Sequence, residues 1–242
     1  MLTIFRKEIQ GLLSSLIAYL VMAVFLTGVG AFLWIFPDTN VLEYGFADLD
    51  TLFYLAPYMF LFFIPAVTMR SFAEEKKSGT LELLFTRPLW DWEIILGKYL
   101  SGLVLVFLVL LPTLFYVYSV YELGEPKGNL DLAGVMGSYL GLFLLGAVFT
   151  SIGIFASSLT ENQITAFILA FFLCFVLFQG LGLLASLDDA SGISYQFIQL
   201  GIEYHYQSIR KGLIDSRDLA YFFSLIAAML LATHWVLAAR KA

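Results

Sequence analysis

The stretch Arg70 to Lys98, RSFAEEKKSGTLELLFTRPLWDWEIILGK, interrupts a sequence that is otherwise almost continuously apolar. It holds five of the thirteen Lys and Arg residues and five of the nineteen acids. It also carries its own helix punctuation. Ser78-Gly79 breaks the run that comes in from Met69. Thr80 is placed to cap a new helix through its hydroxyl, and Glu82 falls in the first turn, where a negative charge suits the helix dipole. Leu81, Leu83, Leu84 and Phe85 give that short helix a large apolar surface. Thr86-Arg87-Pro88 stops it, because the residue before a proline is pushed out of the helical region. Asp91 then starts the next helix. The pattern predicts a short helix with apolar knobs, held by charged arms at a membrane surface and shaped to dock. The alternative is a solvated loop with one helical turn in it.

Around this stretch the chain has 60% hydrophobic residues, 13% charged residues and a mean hydropathy of +0.87. A soluble domain averages about 25% charged residues, so the composition is that of an integral membrane protein. The 242 residues hold about six spans of roughly 20–25 residues with short connections and no separate soluble domain. The formal charge of −6 collects in the loops and is no nucleic-acid footprint. The single cysteine, Cys174, lies in an apolar run, so neither an intrachain disulfide nor a metal cluster can be built from it. Arg6 and Lys7 precede an apolar run from about residue 12 to 36. That run is too long for a signal-peptide core and is expected to be a retained first span.

The fold expected is an all-α integral membrane protein with six transmembrane helices, at about 12–36, 51–69, 94–121, 132–158, 164–187 and 219–239. All of residues 1–242 then form one transmembrane domain. Leu2, Phe5, Ile9 and Leu12 recur at helical spacing, with Arg6, Lys7, Glu8 and Gln10 between them. They predict an N-terminal interfacial helix. Pro57, Pro65 and Pro112 fall inside spans and kink them. In the segment 188–218, Tyr195, Ile198, Ile202, Tyr206, Ile209 and Leu213 recur at spacings of three and four. They predict an external amphipathic helix between spans 5 and 6, acting as a lid, a spacer or a gate. His205 and His234 read as solitary. Gly134, Gly137 and Gly141 share one face of span 4, a surface for close helix packing inside the chain or between copies.

Six spans put both ends on one side. One side holds Arg6, Lys7, Arg70, Lys76, Lys77, Arg87, Lys98, Arg240 and Lys241, nine cations; the other holds Lys127, Arg210, Lys211 and Arg217, four. The positive-inside rule then makes both termini and the polar stretch cytoplasmic. Trp34, Trp90, Trp92 and Trp235 all fall near span ends, where tryptophan favours the interface.

Catalytic signatures are missing: the chain has no G-x-x-x-x-G-K-[ST], no H-E-x-x-H and no G-x-S-x-G. Acids within the spans are nearly lacking, and Glu161, the nearest, falls in the short turn between spans 4 and 5. No catalytic residue, metal ligand or cofactor is expected in this chain.

The Glu-rich lead-in, Gly79-Thr80, Leu81-Glu82-Leu83-Leu84, Pro88 and Gly97-Lys98 resemble the segment after the second membrane helix of ABC-2 type transporter permeases. Over nearly the whole length the chain resembles the gliding-motility-associated, GldF-like permeases, most specifically from Phe72 to Lys98. The resemblance implies that the short helix is a cytoplasmic coupling helix seated in an ATPase subunit. The residues it would place against that ATPase are Glu74, Glu75, Lys76, Gly79, Thr80, Leu81, Glu82, Leu83, Leu84 and Phe85. It further implies a GldA-like ATPase that binds ATP and magnesium, a GldG-like membrane auxiliary subunit, a second permease copy and a bacterial inner-membrane location. Two other functions remain open: a force-coupling scaffold through which nothing crosses, and a copper-linked permease of the nitrous-oxide-reductase maturation type. Met, Cys and His are not clustered in a way that suggests copper contact.

The topology is testable with single cysteines at Ser78 and Ser191 in a Cys174→Ser background. In intact spheroplasts a membrane-impermeant maleimide should label position 191 and spare position 78. Labelling at position 78 from outside reverses the assignment.

Overall fold

The computed structural model describes residues 1–44, 47–86, 89–186 and 193–240. Arg87, Pro88, Ser191 and Lys241 lie outside the described residues. The regular structure among the described residues is helical. It runs α1 (Leu2–Leu13), α2 (Leu16–Trp34), α3 (Val41–Tyr44), α4 (Asp50–Thr68), α5 (Arg70–Lys77), α6 (Thr80–Phe85), α7 (Asp91–Leu110) and α8 (Leu114–Leu123). The second half runs α9 (Leu132–Leu159), α10 (Gln163–Phe175), α11 (Leu181–Ala185), α12 (Ile193–Leu200), α13 (Ile202–Arg210) and α14 (Ser216–Ala239). Six helices are long and apolar enough to cross a membrane: α2, α4 continued by α5, α7 continued by α8, α9, α10 continued by α11, and α14. This is a multi-pass membrane protein.

Local chemistry explains the boundaries. The first span begins at Leu16, not near residue 12, because Ser15 is extended and its hydroxyl accepts the Ile17 N–H. That turn separates α1 from α2. In the third span Pro112 tightens the chain into a 3₁₀ turn, and helix resumes at Leu114. A π turn over Val176–Gly180 re-aims the fifth span and buries Phe178, which meets Tyr58 and Phe149 edge-on.

α9 is the axis of the bundle. It packs against α4, α5, α7, α10, α13 and α14, and most of its length is buried. Its buried positions are rich in small residues: Gly137, Gly141, Gly146, Ala147, Gly153, Ala156 and Ser157. Without a hydrophobic drive between helices in lipid, close van der Waals approach supplies the association, and small side chains permit it. A Cβ on Gly153 would collide with the Thr68 side chain of α4, and one on Gly146 would come 2.6 Å from Val106 of α7. The buried hydroxyls do not disturb this packing. Thr150 and Ser151 donate to Gly146 and Val148 carbonyls in their own helix.

The 188–218 segment departs from the single helix expected. Gly201, in extended conformation, divides it into α12 and α13. Ile202, Tyr206 and Ile209 are buried, and the Tyr206 hydroxyl donates to the Phe53 carbonyl at 2.7 Å. α13 lies on the glycine face of α9. A Cβ on Gly137 would come 3.1 Å from the Ile209 carbonyl and 3.2 Å from the Gly212 Cα, and one on Gly141 would meet Ile209 at 3.2 Å. Gly134 sits 3.4 Å from where a Gly212 Cβ would be. In this structure the face is filled by the chain's own α13.

The close approach of α4 to α9 gives a quantitative expectation. Gly153→Ala should overpack the contact and lower the stability measured by thermal unfolding in detergent by about 1–3 kcal/mol. Adding Thr68→Ala, which removes the obstructing side chain, should return part of the loss. An unchanged melting midpoint for the single variant would show that the two helices do not meet there.

Candidate functional site

The end of the bundle that carries both α1 and the polar stretch is organised by a lysine. Lys98 lies in the second turn of α7, and its side chain is 1% exposed. Its ammonium donates to Glu8 Oε1 of α1 at 2.9 Å and to the Ser71 carbonyl of α5 at 2.6 Å. It lies 3.0 Å from Glu75 Oε2 and 5.0 Å from the centre of the Phe72 ring. Glu75 Oε1 also accepts from Lys7 at 3.0 Å. Burial opposes the charge on Lys7, but the Glu75 hydrogen bond and the charges of Glu75 and Glu8 hold its pKa above the usual lysine value. Gly97 makes the arrangement possible, because a Cβ there would come 2.9 Å from Ile4 and hold α1 away from α7.

A second anchor comes from α9. The Ser157 hydroxyl accepts the backbone N–H groups of Phe72 and Ala73 at 2.9 and 3.0 Å, and donates to the Met69 carbonyl at 2.9 Å. These are backbone groups that the turn between α4 and α5 leaves free. Lys76 donates to the Ser158 carbonyl, and Arg240, after α14, pairs with Glu161 in the turn after α9. Trp92 stacks on His234 at 5.1 Å. The base of the polar stretch is thus fastened to α1, α7 and α9, and α6 projects from it.

The expected ATPase-contact residues differ in their surroundings. Glu74, Gly79, Thr80 and Glu82 are exposed. Leu84 and Phe85 are half-buried. Leu81 is only 3% exposed and belongs to the chain's own core. Glu75 is committed to Lys98 and Lys7, and Lys76 to Ser158. The backbone of Leu83 is in α6, and its side chain lies outside the described residues. The expectation of Leu81 as a free knob therefore fails here: a six-residue helix cannot hold its place without burying a residue of its own.

The capping differs as well. Thr80 is the first residue of α6, not its cap. Gly79 precedes it at φ +69°, a left-handed conformation that suits glycine. The Thr80 hydroxyl turns back to the Glu75 carbonyl at 3.3 Å and to the Ser78 hydroxyl at 2.9 Å. At α7 the residue before the helix is Trp90, whose N–H reaches Glu93 Oε2 at 3.3 Å. Asp91 is the first helical residue.

Glu8, Lys98 and Ser157 are the residues that sequence reasoning missed. A signal for Lys98 exists. It sits two turns into an apolar span, and the positions three and four away on either side are Ile94, Ile95, Ser101 and Gly102. A cation there has no acid within pairing distance on its own helix, since Asp91 and Glu93 lie seven and five positions away, and must find carboxylates on others. Ser157 has no such signal, since serine is common on a packed face.

At the other end His205 is not solitary. Nδ1 lies 2.6 Å from Asp218 Oδ1 and Nε2 lies 2.9 Å from the Gln199 carbonyl, with the ring stacked 3.9 Å from Tyr221. It joins α12, α13 and α14 as a structural clasp. Among the described residues no three His, Cys, Asp or Glu side chains come together as metal ligands.

A helical bundle with six helices long and apolar enough to cross a membrane, and a fastened charged hairpin between the second and third of them, defines a class, that of multi-pass membrane proteins. Residues 35–202 match the ABC-2 family transporter protein, and the chain belongs to that family. Members are membrane components of ABC transporters, in general without catalysis of their own, and the family implies an ATP-binding partner. No curated protein matches the chain.

Removing the buried cation should be costly. Lys98→Ala leaves Glu8 and Glu75 facing each other without it, a change worth about 3–5 kcal/mol. It should free α1 to limited proteolysis. The triple variant Lys98→Met, Glu8→Gln, Glu75→Gln, which leaves only the solvent-accessible Lys7 charged in the cluster, should recover most of the melting midpoint. Equal losses in both variants would show that the charges do not interact.

Proposed function

We propose that this chain is the permease half through which a cytoplasmic ATPase drives transport across a bacterial inner membrane, with both termini on the ATPase side. The observation that carries this reading is the α5–α6 hairpin. It is exposed along Glu74, Lys77, Ser78, Gly79, Thr80 and Glu82, while its base is tied to α1, α7 and α9. A surface that is free at its tip and rigid at its root can receive a push and pass it to several spans. In the gliding-motility reading the chain is GldF-like, its ATPase GldA-like and its membrane auxiliary GldG-like. A second permease copy completes the membrane part, and ATP and magnesium bind in the ATPase.

The docking surface differs from a purely apolar one. With Leu81 turned inward, the exposed tip is polar and charged, and the half-buried Leu84 and Phe85 supply the apolar remainder. Glu82→Lys combined with Lys77→Glu should leave expression and the melting midpoint unchanged and weaken association with the co-expressed ATPase at least about tenfold, roughly 1.4 kcal/mol. Leu81→Ala should instead lower the stability of the permease itself. The exposed Leu123 at the opposite end serves as control, and Leu123→Ala should not release the ATPase. A charge-swapped hairpin that keeps its ATPase at wild-type affinity overturns the docking role. The purified chain alone should not hydrolyse ATP.

The scaffold reading draws on one observation. The buried hydroxyls Thr150, Ser151 and Ser158 donate to carbonyls of their own helix, so their protons are already committed and not offered to a passing substrate. A structure of the assembled complex decides: a continuous polar channel between the two permeases favours transport, and a sealed apolar contact favours force coupling.

A further inference from the structure

Between α1 and the junction of α4 with α5 lies a cavity of about 380 Å³, its wall including Leu12, Val67, Arg70, Ser71, Glu74 and Thr80. We infer that this cavity binds the headgroup of a phospholipid that carries a primary ammonium on its phosphate, the ethanolamine class. The inference goes beyond the permease reading and rests only on the chain being a membrane protein.

Charge pairing leaves two groups over. Of the other charged residues on the wall, Lys7, Glu8, Glu75 and Lys98 are all engaged with one another. Arg70 spends one N–H on the Ser15 hydroxyl at 2.6 Å and makes no ion pair among the described residues. Glu74 is exposed, and no side-chain hydrogen bond or ion pair engages its carboxylate among the described residues. Arg70 and Glu74 are four positions apart on α5, a spacing that ordinarily lets opposite charges pair. Here they do not pair, and both border the same cavity. A guanidinium prefers a phosphate, to which it can offer two parallel N–H groups. A carboxylate beside it accepts from an ammonium two carbons away.

Location selects a lipid over a soluble phosphate. The apolar run of α4 ends at Thr68, so Arg70 lies where a span leaves the hydrocarbon and meets headgroups. Leu12 and Val67 carry the wall on as apolar surface, and Gly11 offers no side chain to block it. Choline headgroups present no N–H to Glu74, and glycerol headgroups bring no cation.

The test uses the delipidated full-length chain without any ATPase, so that the outcome is independent of docking at Glu74. Phosphatidylethanolamine, phosphatidylcholine and phosphatidylglycerol are titrated in turn, with bound lipid counted by native mass spectrometry. The ethanolamine lipid should be retained about tenfold more tightly than either of the others. Arg70→Gln and Glu74→Gln should each abolish that preference. Ser15→Ala, which removes the internal partner of Arg70 but keeps its charge, should preserve the preference and reports on folding. Equal retention of all three lipids, or a preference that survives both charge variants, overturns the inference. So does equal competition by glycerophosphoethanolamine, which lacks acyl chains and would mark a soluble ligand.

Discussion

A lysine ammonium held out of water must be surrounded by carboxylates and carbonyls, and at Lys98 those partners come from two other pieces of chain. Glu8 belongs to α1, Glu75 and the Ser71 carbonyl to α5, and the lysine itself to α7. Desolvating these charges is expensive, and only simultaneous contact offsets it. The cost therefore acts as a constraint on geometry. α1 cannot drift away, and α5 cannot swing, without stranding a charge. The polar hairpin after the second span derives its fixed root from this demand.

Ser157 extends the same fixed root into the centre of the bundle. A single hydroxyl closes three backbone hydrogen bonds at the turn between α4 and α5. A proline-containing helix that must bend at the membrane surface would otherwise leave those groups unpaired, which is costly where water is scarce. Because Ser157 rides on α9, and α9 touches most other spans, displacement at the hairpin reaches nearly every element. The far end uses a related device: His205 and Tyr206 clasp α13 to Asp218 of α14 and to the Phe53 carbonyl of α4. α13 is thus bound to two membrane spans and closes over the glycine face of α9.

The exposed half of the hairpin stands apart from this network. Its exposed side chains are polar, and Trp90, 79% exposed, lies close by in sequence. Leu81 is withdrawn because a helix of one and a half turns has too few hydrogen bonds to persist unless tertiary packing holds it. The burial of one leucine is what allows the other face to be presented.

The sequence by itself determined the class of protein, the number of spans and the existence of the hairpin. Those features follow from long apolar runs, from prolines and glycines, and from charges collected in a few segments, all of which act over short distances along the chain. It also announced Gly137 and Gly141 as a packing face. What covers that face, which of Leu81 and Glu82 points outward, and where the charge of Lys98 is satisfied were decided only in the folded bundle. Each depends on partners scores of residues away: Ile209 for Gly137, Glu8 for Lys98, Ser157 for the backbone at Phe72. Periodicity shows which side of a helix is apolar, but in a protein whose surface is itself apolar it does not distinguish a core contact from lipid. That distinction is made by packing and by the need to pair every buried charge.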